Sequence, residues 1–227
     1  MPRKPRQSRA IATVDAIVEA GFISLARHGP TGTTTRHIAE IAGISVGSLY
    51  EYFANKEEIH AAMNRHFVAA IVGVIRPLIP RLVRMEIEPA IIALAAAFGD
   101  FLTRNDERYL KYGRATIAAH QAMDFGAVSA ALTELLLQYV MQHPALTRLP
   151  DLAVMNHIFI QGGIFVVLKH LSDPDPPFGY DALAQGLARM VAHYVTIELQ
   201  RADKARIEEA RIEEEGGDPH DPAHAPL

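Results

Sequence analysis

The chain has 227 residues, 49% of them hydrophobic and 21% charged, a balance that fits a folded soluble protein and excludes wholesale disorder. It contains no cysteine, so disulfides, thiolate zinc sites and cysteine nucleophiles are excluded, and the missing thiols suit a reducing cytoplasm. The formal charge of -4 hides a polarity: Arg3, Lys4, Arg6 and Arg9 give the first ten residues +4, whereas seven acids against Arg211 give residues 207–227 a charge of -6. A basic head points to an anionic partner, for which nucleic acid and a membrane surface are the usual candidates.

Apolar residues recur at helical spacing along most of the chain, beginning with Ile11, Val14, Ile17, Val18, Phe22 and Leu25, and no sustained alternation marks a strand. The fold is expected to be all-α. His28-Gly29-Pro30 closes the first helix, and breaks are expected at Gly43, Asn55, the Pro77 and Pro80 pair, Pro89, Asn105-Asp106, Asp124, Pro144, Pro150 and Asp173–Pro177. Nine or ten helices result.

The division expected is a flexible basic arm over 1–9, a small three-helix module over 10–54, a larger helical bundle over 55–203, and an acidic, disordered tail over 204–227. No run reaches the ~18 uninterrupted apolar residues of a membrane span, and the basic start lacks the apolar stretch of a leader, so no membrane association is expected.

The informative stretch runs from Thr33 to Ile59. Thr34 is placed to cap a short helix with Ile38, Ala39 and Ile41 inward, Gly43 permits a left-handed turn, and Ser45 caps a second helix whose Leu49 and Phe53 turn inward. Two short helices joined by a glycine-containing turn form a helix-turn-helix. Val46, Gly47 and Ser48 are small enough to let the second helix approach base edges in a ~12 Å major groove, and the Tyr50 and Tyr52 hydroxyls suit phosphate oxygens. Asn55 and Glu58 make a capping-box pattern, with Lys56 at the positive end of the next helix as a phosphate clamp. Pro2 and Pro5 are expected to keep the arm extended, with Arg3, Lys4 or Arg6 lying along the duplex.

The pattern Thr-x-x-x-Ile-Ala-x-x-Ala-Gly-Ile-Ser-x-Gly-x-Leu-Tyr-x-Tyr-Phe-x-x-Lys-Glu, Thr34 to Glu57, resembles the N-terminal module of the TetR family of bacterial regulators. The match covers about the first quarter of the chain; beyond it only length and helical character agree. The resemblance implies a dimeric repressor on a palindromic operator, released by a small-molecule effector. Its DNA contacts fall at Thr35, Arg36, Ser45, Val46, Gly47, Ser48, Tyr50, Tyr52 and Lys56. Glu51 departs from the neutral or aromatic residue of some relatives, and either accepts from a cytosine amino group or points away.

Gly162 and Gly163, inside an apolar run, cost a helix ~2 kcal/mol relative to alanine, a cost offset if another helix packs closely there. With Ile158, Phe165, Leu187, Val191 and Tyr194 they mark the expected homodimer face. Tyr109, Tyr112, Thr116 and His120 share one helical stripe, which with Phe98, Phe101 and Phe165 forms the candidate effector site or else a solvated face. The eleven histidines are scattered, and their one i, i+4 pair, His220 and His224, lies in the tail, so no metal is expected. No nucleophile motif, phosphate loop or buried carboxylate pair is found, so neither enzymatic activity nor a cofactor is expected. The rivals are a helical small-molecule-binding protein without DNA function and a sequence-neutral DNA coater.

Overall fold

The computed structural model describes residues 5–119 and 123–216, with the side chains of 5–7, 210 and 213–216 left aside. Among the described residues are eight α-helices, one short 3-10 segment and no strand. α1 (Pro5–Gly32) buries Ile17, Val18, Phe22 and Leu25, the stripe expected from its spacing. Gly29, at φ 70°, breaks it where His28-Gly29-Pro30 was expected to. Residues 5–9 are helical and not part of an extended arm.

α2 (Thr35–Ala42) and α3 (Val46–Tyr50) follow, and α4 (Lys56–Leu82) then runs straight through Pro77 and Pro80, where a break was expected. Each interior proline costs about 3 kcal/mol. On the same helix, however, Ile75, Ile79 and Leu82 are buried at roughly 1.5–3 kcal/mol apiece, and that anchoring holds the helical course. α5 (Ile87–Ala118) takes Pro89 in its first turn and is interrupted at Arg104–Glu107, where Asn105, Asp106 and Glu107 are left-handed. α6 (Gly126–Gln142) begins after Asp124, whose Oδ1 accepts from the Gly126 N–H at 2.8 Å. A 3-10 turn (Pro144–Arg148) leads to α7 (Leu152–Ser172) and α8 (Tyr180–Gly216).

α8 carries the chain to Gly216, so the part of the acidic tail over 204–216 is helical and not disordered. Alanine, arginine, lysine and glutamate there are strong helix formers, and the Arg201 guanidinium donates to Glu198 at 2.6 Å just ahead of them.

One hydrophobic core runs from Ile17, Phe22, Ile38 and Leu49 through Met63 and Phe67 to Phe101, Tyr112 and Val128, so the N-terminal helices and the body share buried side chains. A second core, with Ile79, Leu82, Tyr139, Leu149 and Val195, fills the far end. An ion pair between Arg108 of α5 and Glu19 of α1 reinforces the junction. Among the described residues two helices, Lys56–Leu82 and Leu152–Ser172, are long and apolar enough to cross a membrane, but the first lies against both cores. The second has only 6% of its most apolar window buried within one chain.

Candidate nucleic-acid interface and ligand cavity

The helix-turn-helix is assembled from local hydrogen bonds that the sequence specifies. Thr34 Oγ1 accepts from the His37 N–H at 3.2 Å and starts α2. Gly43, at φ 70° and ψ 30°, ends it, and the Ile44 N–H returns to the Ala39 carbonyl at 3.0 Å, closing the left-handed cap. Ser45 Oγ accepts from the Ser48 N–H at 3.0 Å and so starts α3. Leu49 and Phe53 then bury into the core and fix the rotation of α3 about its axis.

That rotation decides what faces outward. Val46 (37% exposed), Gly47, Tyr50 (50%) and Tyr52 (38%) form a continuous surface, with Glu51 exposed between the tyrosines and Ser48 half-buried. Thr35 Oγ1 and the Tyr50 hydroxyl lie 3.4 Å apart, which joins α2 to α3, and Arg36 is exposed beside them. Thr35, Arg36, Ser45, Val46, Gly47, Ser48, Tyr50 and Tyr52 thus fall on or beside one surface of the two short helices. Arg3 and Lys4, and the side chain of Arg6, lie outside the described residues.

Lys56 opens α4, and its ammonium reaches the Pro30 carbonyl at 3.5 Å, bringing the end of α1 to the same flank. Asn55 Oδ1 accepts from the Glu58 N–H at 2.8 Å, while the Glu58 carboxylate accepts from the N–H of Ala54, one residue further back than a capping box requires. Not anticipated from sequence is His37, whose Nδ1 is 2.9 Å from the Gly32 carbonyl and whose ring stacks on His28, tying α2 to the end of α1. Only the proximity of two histidines across a turn hinted at it. His60, one turn into α4, has its pKa held below 6.5 by burial and by the charge of Lys56, partly opposed by Glu57.

The effector stripe expected from sequence divides. Tyr112, Phe101 and Thr116 are buried, and Tyr109 and Tyr112 meet Phe22 of α1 edge-on at 5.0 and 4.9 Å between ring centres. Phe67 of α4 packs against Phe101, Tyr109 and Tyr112 as well, so this face forms an aromatic joint between α1, α4 and α5. Phe165, at 68% exposed, points away from it, and His120 lies outside the described residues.

Of the candidate effector residues, Phe98 lines a cavity of about 470 Å³ elsewhere, bounded by α4, α5, α6, α7 and α8. Its wall is aliphatic and aromatic, with Ile75, Leu94, Leu132, Phe159 and Val191 among the contributors. Spacing gave no signal for this site, because each helix contributes side chains that look like ordinary core. Among the described residues no group of three or more His, Asp or Glu is placed to hold a metal ion.

The candidate dimer residues lie along the same two C-terminal helices. Ile158 (58% exposed), Gly162, Phe165 and Tyr194 are exposed and Leu187 and Val191 half-buried, and of these Ile158, Gly162, Leu187 and Val191 also line the cavity. A Cβ added at Gly162 or Gly163 would meet nothing within 4 Å, so no helix of the same chain makes the close approach expected there.

Residues 17–63 match the family model "Bacterial regulatory proteins, tetR family". A search among functionally curated proteins finds no match. Solved structures share the fold. A protein from Mesorhizobium loti, classed as a TetR-family transcriptional regulator, superposes with TM-score 0.63 at 18% identity, covering 82% of this chain and 96% of its own. The fatty acid degradation regulator FadR from Bacillus halodurans gives TM-score 0.57 at 17% identity, covering 85% and 97%. A TetR-family regulator from Marinobacter aquaeolei gives 0.54 at 18% identity, covering 80% and 96%. The helix-turn-helix module, residues 17–63, is thus that of the tetR family of bacterial regulatory proteins, and the helical body shares the fold of these regulators.

Proposed function

We propose that the protein is a cytoplasmic homodimeric repressor that holds a palindromic operator through two copies of the Val46–Tyr52 surface and releases it when a small molecule fills the α4–α8 cavity. The observation that carries the reading is the orientation of α3: Leu49 and Phe53 are sunk in the core, leaving small residues and two tyrosine hydroxyls turned to solvent. In this reading Val46 meets a thymine methyl, Ser48 a base edge, and Tyr50, Tyr52, Thr35, Arg36 and Lys56 hold phosphates. Arg3, Lys4 and Arg6 add counter-charge along the duplex.

The second copy sits on α7 and α8. α7 is apolar around most of its circumference, yet Val154, Ile158, Phe165 and Val166 stand exposed in one chain, and Met190, Tyr194 and Ile197 extend the exposed apolar face along α8. A patch of this kind marks an interface. The open space over Gly162 and Gly163 suits the approach of a partner helix.

Coupling runs through α4, one helix that opens with Lys56 on the DNA flank and ends with Ile71, Ile75 and Leu82 on the cavity wall. Two recognition helices must meet major-groove faces ~34 Å apart or a multiple of it, so a ligand that favours another spacing lowers DNA affinity by linkage. Replacing Phe165 by glutamate tests the dimer half of the reading. Sedimentation should show a dimer for the unaltered chain and a monomer with weakened operator binding for Phe165→Glu; a monomeric unaltered chain at micromolar concentration contradicts it.

A further inference from the structure

The cavity's wall is selective in what it lacks. Among the described residues lining it none is Lys, Arg, His, Asp or Glu. Its polar groups are two tyrosine hydroxyls and one carboxamide. The Tyr139 hydroxyl donates to the Met85 carbonyl at 2.8 Å and that of Tyr180 donates to the Ala95 carbonyl at 3.2 Å, so both hydrogens are already committed to backbone. Burial, reinforced by Glu86 beside Tyr139 and Asp181 beside Tyr180, pushes both phenols up to about 12, and neither offers an anion at neutral pH. Asn156 differs: its Oδ1 is buried and has no hydrogen-bond partner. An acceptor withdrawn from water and left unpaired is a standing cost, one that is removed when the Asn156 side chain turns its oxygen to a donor in the cavity it lines.

Resting on the reading of this cavity as the effector site, we propose that it takes an uncharged, elongated, mainly aliphatic molecule whose single hydrogen-bond donor, a hydroxyl or amide N–H, is received by Asn156 Oδ1. A carboxylate or ammonium head would enter with no counter-charge on the wall and lose its hydration. At the ~30 Å³ that a water-sized group takes in a condensed phase, 470 Å³ holds on the order of 15 non-hydrogen atoms, which suits a medium-chain alcohol. The donor requirement gives discrimination that aliphatic contact alone cannot, because a ligand lacking the donor leaves the amide unpaired.

The test is displacement of the uncharged dye N-phenyl-naphthylamine from the full-length chain by decanol, decane, decanoate and decylamine at neutral pH. Decanol is expected to displace the dye at roughly tenfold lower concentration than the other three. Asn156→Leu, which keeps the side chain's size, should raise the decanol requirement about tenfold and leave that of decane unchanged or lower. Decanoate or decylamine displacing as well as decanol, no displacement by any of the four, or an unchanged decanol-to-decane ratio in Asn156→Leu overturns the proposal. If Asn156→Leu does not fold, the ranking on the unaltered chain decides. A gel shift on a retained operator fragment separates the two claims. Decanoate releasing DNA would refute the ligand class while upholding ligand-controlled release, and decanol bound without release would do the reverse.

Discussion

Phe22 is the side chain through which the DNA-binding module grips the body, and truncating it should weaken both. Its ring is fully buried between Tyr109 and Tyr112, edge-on to each at 5.0 and 4.9 Å, with His66 at 5.7 Å. Removing a buried phenyl to alanine costs about 3–5 kcal/mol, the transfer term plus the cavity left behind. For a chain of 227 residues each kcal/mol moves the melting midpoint by roughly 2–4 °C, so Phe22→Ala should lower it by about 6–20 °C. Phe22→Leu keeps most of the volume and loses the two edge-on pairs, each contributing about 0.5–1.5 kcal/mol beyond burial, so about 1–3 kcal/mol is expected. Urea unfolding followed by far-UV circular dichroism reads these values, and a double-mutant cycle of Phe22→Leu with Tyr112→Leu should return a coupling of about 0.5–1.5 kcal/mol. Strict additivity of the two substitutions, or a loss under about 1 kcal/mol for Phe22→Ala, would refute the joint as described.

Other consequences are more local. Leu49→Ala removes the only fully buried side chain of α3 and should cost about 2–5 kcal/mol and abolish operator binding, although Leu49 presents nothing to DNA; calorimetry and gel shift check the two halves. Replacing Arg3, Lys4 and Arg6 by glutamine should weaken operator binding and make the log-affinity against log-salt slope shallower by about 0.9 for each phosphate no longer neutralised, and an unchanged slope would remove them from the interface. His60 is held below its ordinary 6.5 in the fold, so as pH falls the unfolded chain takes up this proton first. Stability should therefore be full above pH 6.5 and decline as pH drops from there toward the lowered folded value; His60→Gln should show a smaller fall in melting temperature between about pH 7.5 and about pH 5.5. Gly43→Ala places a Cβ at φ 70° and should cost about 1–2 kcal/mol, read by the same unfolding curves.

What was legible in the sequence were the features settled by neighbours a few residues apart. Thr34, Gly43, Ser45 and Asn55 act on backbone groups within four positions, and Leu49 with Phe53 fixes a helix face by spacing alone, so the helix-turn-helix could be drawn residue by residue. The break at Asn105-Asp106 was legible for the same reason. Pro77 and Pro80 misled because their local penalty is opposed by the burial of Ile75, Ile79 and Leu82, a tertiary effect. The charged stretch beyond 204 misled in the opposite sense: it lacks an apolar face to bury, yet its residues favour a helix that α8 is already propagating. The Tyr109, Tyr112 and Thr116 stripe is a true helical face, but spacing does not say whether a face meets a ligand, solvent or Phe22. Of the cavity only Phe98 was named from sequence as an effector residue, since the space exists only where five helices fail to fill the gap between them.

The rest depends on the surface from Val46 to Tyr52 reading DNA. Sheared DNA of the source genome, passed over the immobilised full-length chain and footprinted after recovery, puts that to the test. Retained fragments are expected to share a palindrome whose half-sites are protected about 10 base pairs apart, or a multiple of that, and Tyr50→Ala combined with Lys56→Ala is expected to retain none. Fragments held without any shared sequence, or retained equally well by the doubly substituted chain, would show that this surface does not read DNA.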